Sequence, residues 1–125
     1  MNTKEVASKL VALCREQKWL EAINSLYAED IVSLEAREMG EMPSEMRGLD
    51  QVRGKTQWFL ETSQVHGCTV GGPFVARDKF VVQFDVDVTD KESGKRAKMS
   101  EIGIYTVKEG KIVREEFLPH AESEG

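Results

Sequence analysis

Hydrophobic and polar positions alternate most regularly in the second half of the chain. Phe80, Val82, Phe84, Val86 and Val88 lie on one side of a period-two pattern, with Val81, Gln83, Asp85 and Asp87 on the other. Such alternation predicts a strand with one buried face. Met99 to Val107 predicts a second strand and Ile112 to Leu118 a third, joined by a hairpin turn at Glu109-Gly110. Upstream, His66 to Val70 predicts another strand, broken at Gly71-Gly72-Pro73 and resumed over Phe74 to Ala76.

The first half repeats at helical intervals instead. Asn2 and Glu5 have capping-box spacing, and Val6, Leu10 and Leu13/Cys14 recur one turn apart, so a helix is predicted to end near Gln17. Trp19, Ile23 and Leu26/Tyr27 predict a second helix that stops at Ala-Glu-Asp30. Ile31-Val-Ser-Leu-Glu35 is short and β-branched, which predicts a strand. Residues 36–47 read as a loop with Gly40, Pro43 and three methionines, Met39, Met42 and Met46. Flexible thioethers there suit a cover over an apolar opening or a plain connector. Gly48-Leu-Asp opens a third helix with Leu49, Val52, Thr56, Phe59 and Ser63 on its inner stripe. The order is helix, helix, strand, helix, then four strands. Helices must cover one face of a curved sheet, which gives an α+β cone with core at its closed end and a cleft at its open end. One domain is expected over residues 1–120, with a disordered polar tail over 121–125.

Composition narrows the function classes. An apolar content of 40 % and a charged content of 31 % describe a globular domain. Seventeen basic against 22 acidic residues give a net charge of −5, and no basic stripe exists to track phosphates. No nucleic acid and no anionic membrane surface is expected as a partner. No apolar run approaches a membrane span, and Cys14 and Cys68 are too few for a disulfide framework. A cytoplasmic, reduced protein is the simplest reading. Asp85, Asp87 and Asp90 lack the glycine and terminal glutamate of a calcium loop, and no histidine–cysteine spacing suits zinc. No metal and no cofactor are expected.

The most informative single position is Glu101. Alternation places it on the same strand face as Gly103, Tyr105 and Val107, a face otherwise fit for burial. A carboxyl on such a face is either paired by a basic side chain or a working group.

Trp19 followed by Leu-Tyr-Ala-Glu-Asp30, then Gly48-Leu-Asp-Gln-Val52, then Tyr105-Thr-Val-Lys-Glu-Gly-Lys-Ile-Val-Arg-Glu-Glu-Phe117 resembles the SnoaL-like family. That family belongs to the nuclear-transport-factor-2-like superfamily, with its ketosteroid isomerases and polyketide cyclases. The resemblance covers nearly the whole chain. It implies a cystatin-like roll, three helices on a curved antiparallel or mixed sheet, with a pocket. It puts Glu35 at the place of the isomerase general base, Val11 at the place of an oxyanion-hole tyrosine, and Gly103 near the place of the oxyanion-hole aspartic acid. The tyrosine donor is therefore missing, and Glu101, two residues before Gly103 on the same face, either stands in for the acid at a displaced point or does not serve. It also implies that His66 points inward from its strand.

Glu35, His66 and Glu101 are thus the candidate catalytic groups, brought from three strands to one cleft. Either glutamate could move a proton beside a carbonyl, with His66 assisting. Trp58, Phe84 and Tyr105 are candidate substrate walls. Trp58 and Phe59 are adjacent on a helix, so one of them must line a rim, a cleft or an interface. Glu115 is also a candidate, since one of Glu115 and Glu116 has to face the helices. Two functions follow. One is a cofactor-free isomerase, cyclase or lyase acting on a small apolar carbonyl compound. The other is a non-catalytic ligand-binding or dimerisation module. Under both, a homodimer is expected through the convex sheet face, with Val81, Gln83, Ile102, Ile104 and Thr106.

Overall fold

The computed structural model describes residues 1–36 and 43–119. The first helix, α1, spans Thr3–Arg15, and α2 spans Trp19–Leu26. Strand β1 follows at Tyr27–Leu34 and a short β2 at Glu45–Arg47. Helix α3 is Leu49–Thr62, and β3 to β6 are Ser63–Ala76, Lys79–Asp90, Arg96–Lys108 and Lys111–Pro119. The strands form one sheet in the order β2-β1-β6-β5-β4-β3. Among the described residues β1 and β6 pair in parallel and the other neighbouring strands antiparallel, so the sheet is mixed. Three helices on one sheet give the α+β cone that the patterns predict.

Local chemistry explains the element ends. The Asn2 side chain accepts from the Glu5 N–H at 2.9 Å, and the Glu5 carboxylate accepts from the Asn2 N–H at 3.2 Å. This closes the capping box at the start of α1. Glu109 and Gly110 both take positive φ, 52° and 77°, as a two-residue hairpin between twisted strands requires.

Several boundaries differ from the sequence pattern. Tyr27 is not the last turn of α2; its backbone is already extended (φ −91°, ψ 142°) and it opens β1. The reason is tertiary, because its buried side chain reaches β6. The segment read as a loop contains β2, which pairs with β1 through Met46 opposite Ser33. Met46 is buried there, while Met39 and Met42 fall outside the described residues, as does the tail over 121–125. The β3 strand runs from Ser63 through the glycines without ending, although its register slips between Gly71 and Phe74.

The closed end of the cone is hydrocarbon. Val6, Leu10 and Val11 of α1 pack with Leu26, Ile31, Phe80, Val82 and Ile112. The Phe80 and Tyr105 rings stack at 4.8 Å, and Phe117 meets Tyr105 edge-on at 6.1 Å. The opposite, convex face carries Val81, Gln83, Ile102, Ile104 and Thr106, all half-buried within the chain, with Leu118 exposed. No described helix is long and apolar enough to cross a membrane.

Candidate functional site

At the open end the helices and sheet enclose a hollow of about 200 Å³. Its apolar walls are Leu10, Cys14, Trp19, Ala22 and Ile23 from α1 and α2. Trp58 and Phe59 of α3 face Phe84, Val86, Met99 and Phe117 of the sheet. Glu35, Lys55, Glu101, Tyr105 and Glu115 also line it.

Strand registry sets the polar layer. Across β1, β6, β5 and β4, Ser33 lies opposite Glu115, Glu115 opposite Tyr105, and Tyr105 opposite Phe80. One row further toward the opening, Phe117 lies opposite Gly103 and Gly103 opposite Val82. Beyond that, Glu101 lies opposite Phe84. Gly103 is required by this arrangement. A Cβ on it would stand 2.8 Å from Tyr105 Cε2 and 3.2 Å from ring atoms of Phe117 and Phe84. The place that the resemblance assigns to an oxyanion-hole acid is filled by three aromatic rings.

Glu115 is 2 % exposed and fully engaged. The Tyr27 hydroxyl donates to its Oε1, and the Ser33 hydroxyl donates to its Oε2 at 2.7 Å. Lys55 Nζ donates to Ser33 Oγ at 2.7 Å and to Glu35 Oε2 at 2.9 Å, and lies 3.7 Å from Glu115 Oε2. The ammonium also sits 5.1 Å from the centre of the Phe117 ring. Burial, and then the Glu115 charge, push the Tyr27 hydroxyl well above its usual range, which keeps it a donor. Tyr105 is pushed up for the same two reasons. The Cys14 thiol is raised to about 12, first by burial, then by Cys68 and Glu115, so it is inert as a nucleophile.

Glu101 differs. No described donor reaches its carboxyl, and burial pushes its pKa to about 7. That value already includes a rise from the Glu35 charge, a lowering by Lys55 and a smaller rise from Glu115. Near neutrality it exists as both acid and carboxylate, the condition a proton carrier needs.

The structure brings Glu35 and Glu101 to one hollow and leaves His66 out. The inward orientation expected for His66 is corrected: it is exposed, and its Nε2 bonds Thr89 Oγ1 at 2.7 Å. The cause is a bulge, since Val65 pairs with Val88 and Gly67 with Asp87, leaving His66 between them unpaired. Val65 takes the inner face in its place. Trp58, Phe84, Tyr105 and Glu115 all line the hollow. Trp58 forms the rim at 37 % exposure and Phe59 lies deeper. Glu115 faces inward together with Ile112 rather than Val113, because a second bulge falls where Thr106 pairs with Arg114 and Val107 with Ile112.

Lys55, Tyr27 and Ser33 escape a sequence reading. Lys55 has one usable signal, its place three residues after buried Val52 and four before Phe59, where a lysine must find a buried partner. Ser33 and Tyr27 give none, since their role depends on Glu115, more than 80 residues away (82 and 88). Among the described residues no cluster of His, Cys, Asp or Glu could hold a metal ion.

A six-stranded mixed sheet under three helices, with a hollow at its open end, defines the NTF2-like, cystatin-like class of α+β cones. Residues 1–118 match the family model of the SnoaL-like domain, and the chain belongs to that family. A structure from Mesorhizobium loti, provisionally named a SnoaL-like polyketide cyclase, is 39 % identical. It covers 94 % of this chain and 99 % of its own, with a TM-score of 0.89. A Xanthomonas campestris protein of unknown function with a cystatin-like fold is 15 % identical over 99 % of this chain and 95 % of its own, TM-score 0.79. An NTF2-like protein of unknown function from Burkholderia pseudomallei is 13 % identical with the same two coverages and a TM-score of 0.77. The last two establish likeness of fold. No curated protein matches the chain.

Proposed function

We propose that this SnoaL-like protein is a cofactor-free general acid–base enzyme of the isomerase or cyclase type, acting on a small, largely apolar carbonyl compound. The observation that carries the reading is the pairing of two unlike carboxyls on one hollow. Glu35 is held by the Lys55 ammonium, and Glu101 has no partner among the described residues and a pKa raised to about 7. An ion-paired carboxylate beside a carboxyl that holds its proton more tightly can divide the roles of base and acid. Glu35 takes the proton beside the carbonyl, and Glu101, protonated, donates to the oxygen as negative charge develops there. Trp58, Phe84 and Tyr105 hold the hydrocarbon part and exclude water. His66 has no part in this scheme. The provisional polyketide-cyclase name of the 39 % identical relative supports the reaction class, because ring closure of that type begins with loss of such a proton.

Deuterium exchange at the α-carbons of small cyclic ketones in heavy water, followed by proton NMR, tests the reading. Exchange above the buffer rate is expected. Glu35→Gln should lower it by roughly 10²-fold or more, as loss of a positioned base does. Exchange at the buffer rate across the ketones, or undiminished in Glu35→Gln and Glu101→Gln, would overturn it.

A second reading concerns assembly. Ile102 and Ile104 on the convex face lie beside Leu118, which is 40 % exposed, an apolar strip suited to a second copy of the chain. Light scattering on the eluting protein should give a dimer mass that Ile104→Lys reduces to a monomer; a monomer from the start counts against the strip as an interface.

A further inference from the structure

Beyond the reaction class, the hollow specifies the charge of what enters it. Its described lining holds three carboxyls, Glu35, Glu101 and Glu115, and a single cation, Lys55. That cation has no capacity left for an anion. Two of its three N–H bonds go to Ser33 and Glu35, and the Glu115 carboxylate lies 3.7 Å away. The unspent groups are all acceptors: among the described residues, Glu35 Oε1 and both oxygens of Glu101 receive no hydrogen bond. An anionic ligand would meet uncompensated like charge in a desolvated space. A positive ligand would meet the reverse, and the aromatic lining adds to it. Trp19, Trp58, Phe59, Phe84 and Phe117 turn toward the same space. Phe117 already carries one ammonium, Lys55, at 5.1 Å from its ring centre. Aromatic faces with a nearby carboxylate are the usual receptor for alkylated ammonium groups.

Size limits the ligand as well. An engineered apolar cavity of about 150 Å³ takes up benzene. A hollow of about 200 Å³ therefore encloses one ring or a comparable branched group, with anything larger left at the Trp58 rim.

We propose that the hollow receives a small organic cation, a substituted ammonium of about one-ring size, seated on the aromatic walls with its charge toward Glu35 and Glu101. The inference rests on the acid–base reading of the same hollow and adds that the carbonyl substrate carries an amine. A positive ligand offsets the excess of acceptors, since three carboxyls of the described lining face the single ammonium of Lys55.

Three probes of one shape separate charge from size: choline, the neutral 3,3-dimethylbutan-1-ol, and the anion 3,3-dimethylbutanoate. Their affinities are measured by titration calorimetry near neutral pH on the whole protein. Choline is expected to bind about tenfold tighter than the alcohol, with no detectable binding of the anion. Trp58→Leu, at a partly exposed position, should weaken both probes but choline the more, and so remove most of that preference. Equal affinities for choline and the alcohol, preference for the anion, or no binding of any probe at millimolar concentration would overturn the proposal. Those outcomes leave the proton-transfer reading to the deuterium exchange of neutral ketones, which fails or succeeds separately.

Discussion

The two sides of the hollow hold their carboxyls under opposite conditions. On the β1–β6 side, Glu115 is nearly inaccessible and takes hydroxyl hydrogen bonds from Tyr27 and Ser33, with Lys55 close by. On the β4–β5 side, Glu101 stands opposite Phe84 with no described donor. Both carboxyls face the same space, Glu115 buried and Glu101 half-buried, and the deeper one is not the one left without donors, so burial alone does not set their character. Donors do: a carboxylate supplied with hydrogen bonds is structural, and one deprived of them is left to exchange protons. The side that is fully satisfied holds the fold, and under the proposed acid–base reading the other side supplies the chemistry.

That contrast breaks most sharply at Lys55. Lys55→Met would leave Glu35 and Glu115 without their cation and should cost about 3–5 kcal/mol, as removal of one partner of a buried ion pair does. Urea unfolding at neutral pH measures it; a loss below about 1 kcal/mol would mean the network contributes little to the fold.

Gly103→Ala tests the packing that separates the two sides. Its methyl group would lie 2.8 Å from Tyr105 and 3.2 Å from Phe84 and Phe117. A cost of about 1–3 kcal/mol is expected from overpacking, read as a lower urea midpoint with an unchanged slope.

Glu101→Gln tests the unsatisfied side and should act in the other direction. The folded-state pKa is raised from 4.5 to about 7, so the native protein holds the proton more tightly than the unfolded chain. The stability this supplies is complete below pH 4.5 and is lost as pH rises to about 7. Glutamine never ionises and avoids the loss. Above pH 7 the variant should be more stable than the parent by about 1–3 kcal/mol, and the gap should shrink to the bare cost of the substitution below pH 4.5. Parallel stability curves across that range would show that Glu101 titrates normally.

The smallest effect belongs to His66. Its ring is exposed and bonds only Thr89 among the described residues. His66→Ala should change stability by no more than about 0.5 kcal/mol and leave ketone exchange intact. A loss of exchange would return the residue to the mechanism.

The linear pattern of residues determined much of this protein. The capping box of α1, the inner face of β4, and the inward side of Glu101, Gly103 and Tyr105 follow from periods of 3.6 and 2, which neighbours along the chain impose by themselves. Three decisions lay beyond that range. The bulges at His66 and near Val113 reverse the side chains' facing, and each exists only because a partner strand pairs out of step. Lys55 finds Glu35 and Glu115 only when α3 lies over the sheet. The separation of Glu101 from Glu115 depends on which hydroxyls reach each carboxyl, and Tyr27 and Ser33 arrive at Glu115 from the far end of the chain. Side-chain facing is a local property wherever the ladder is regular; charge state is a property of the surroundings, and only the folded chain brings those together.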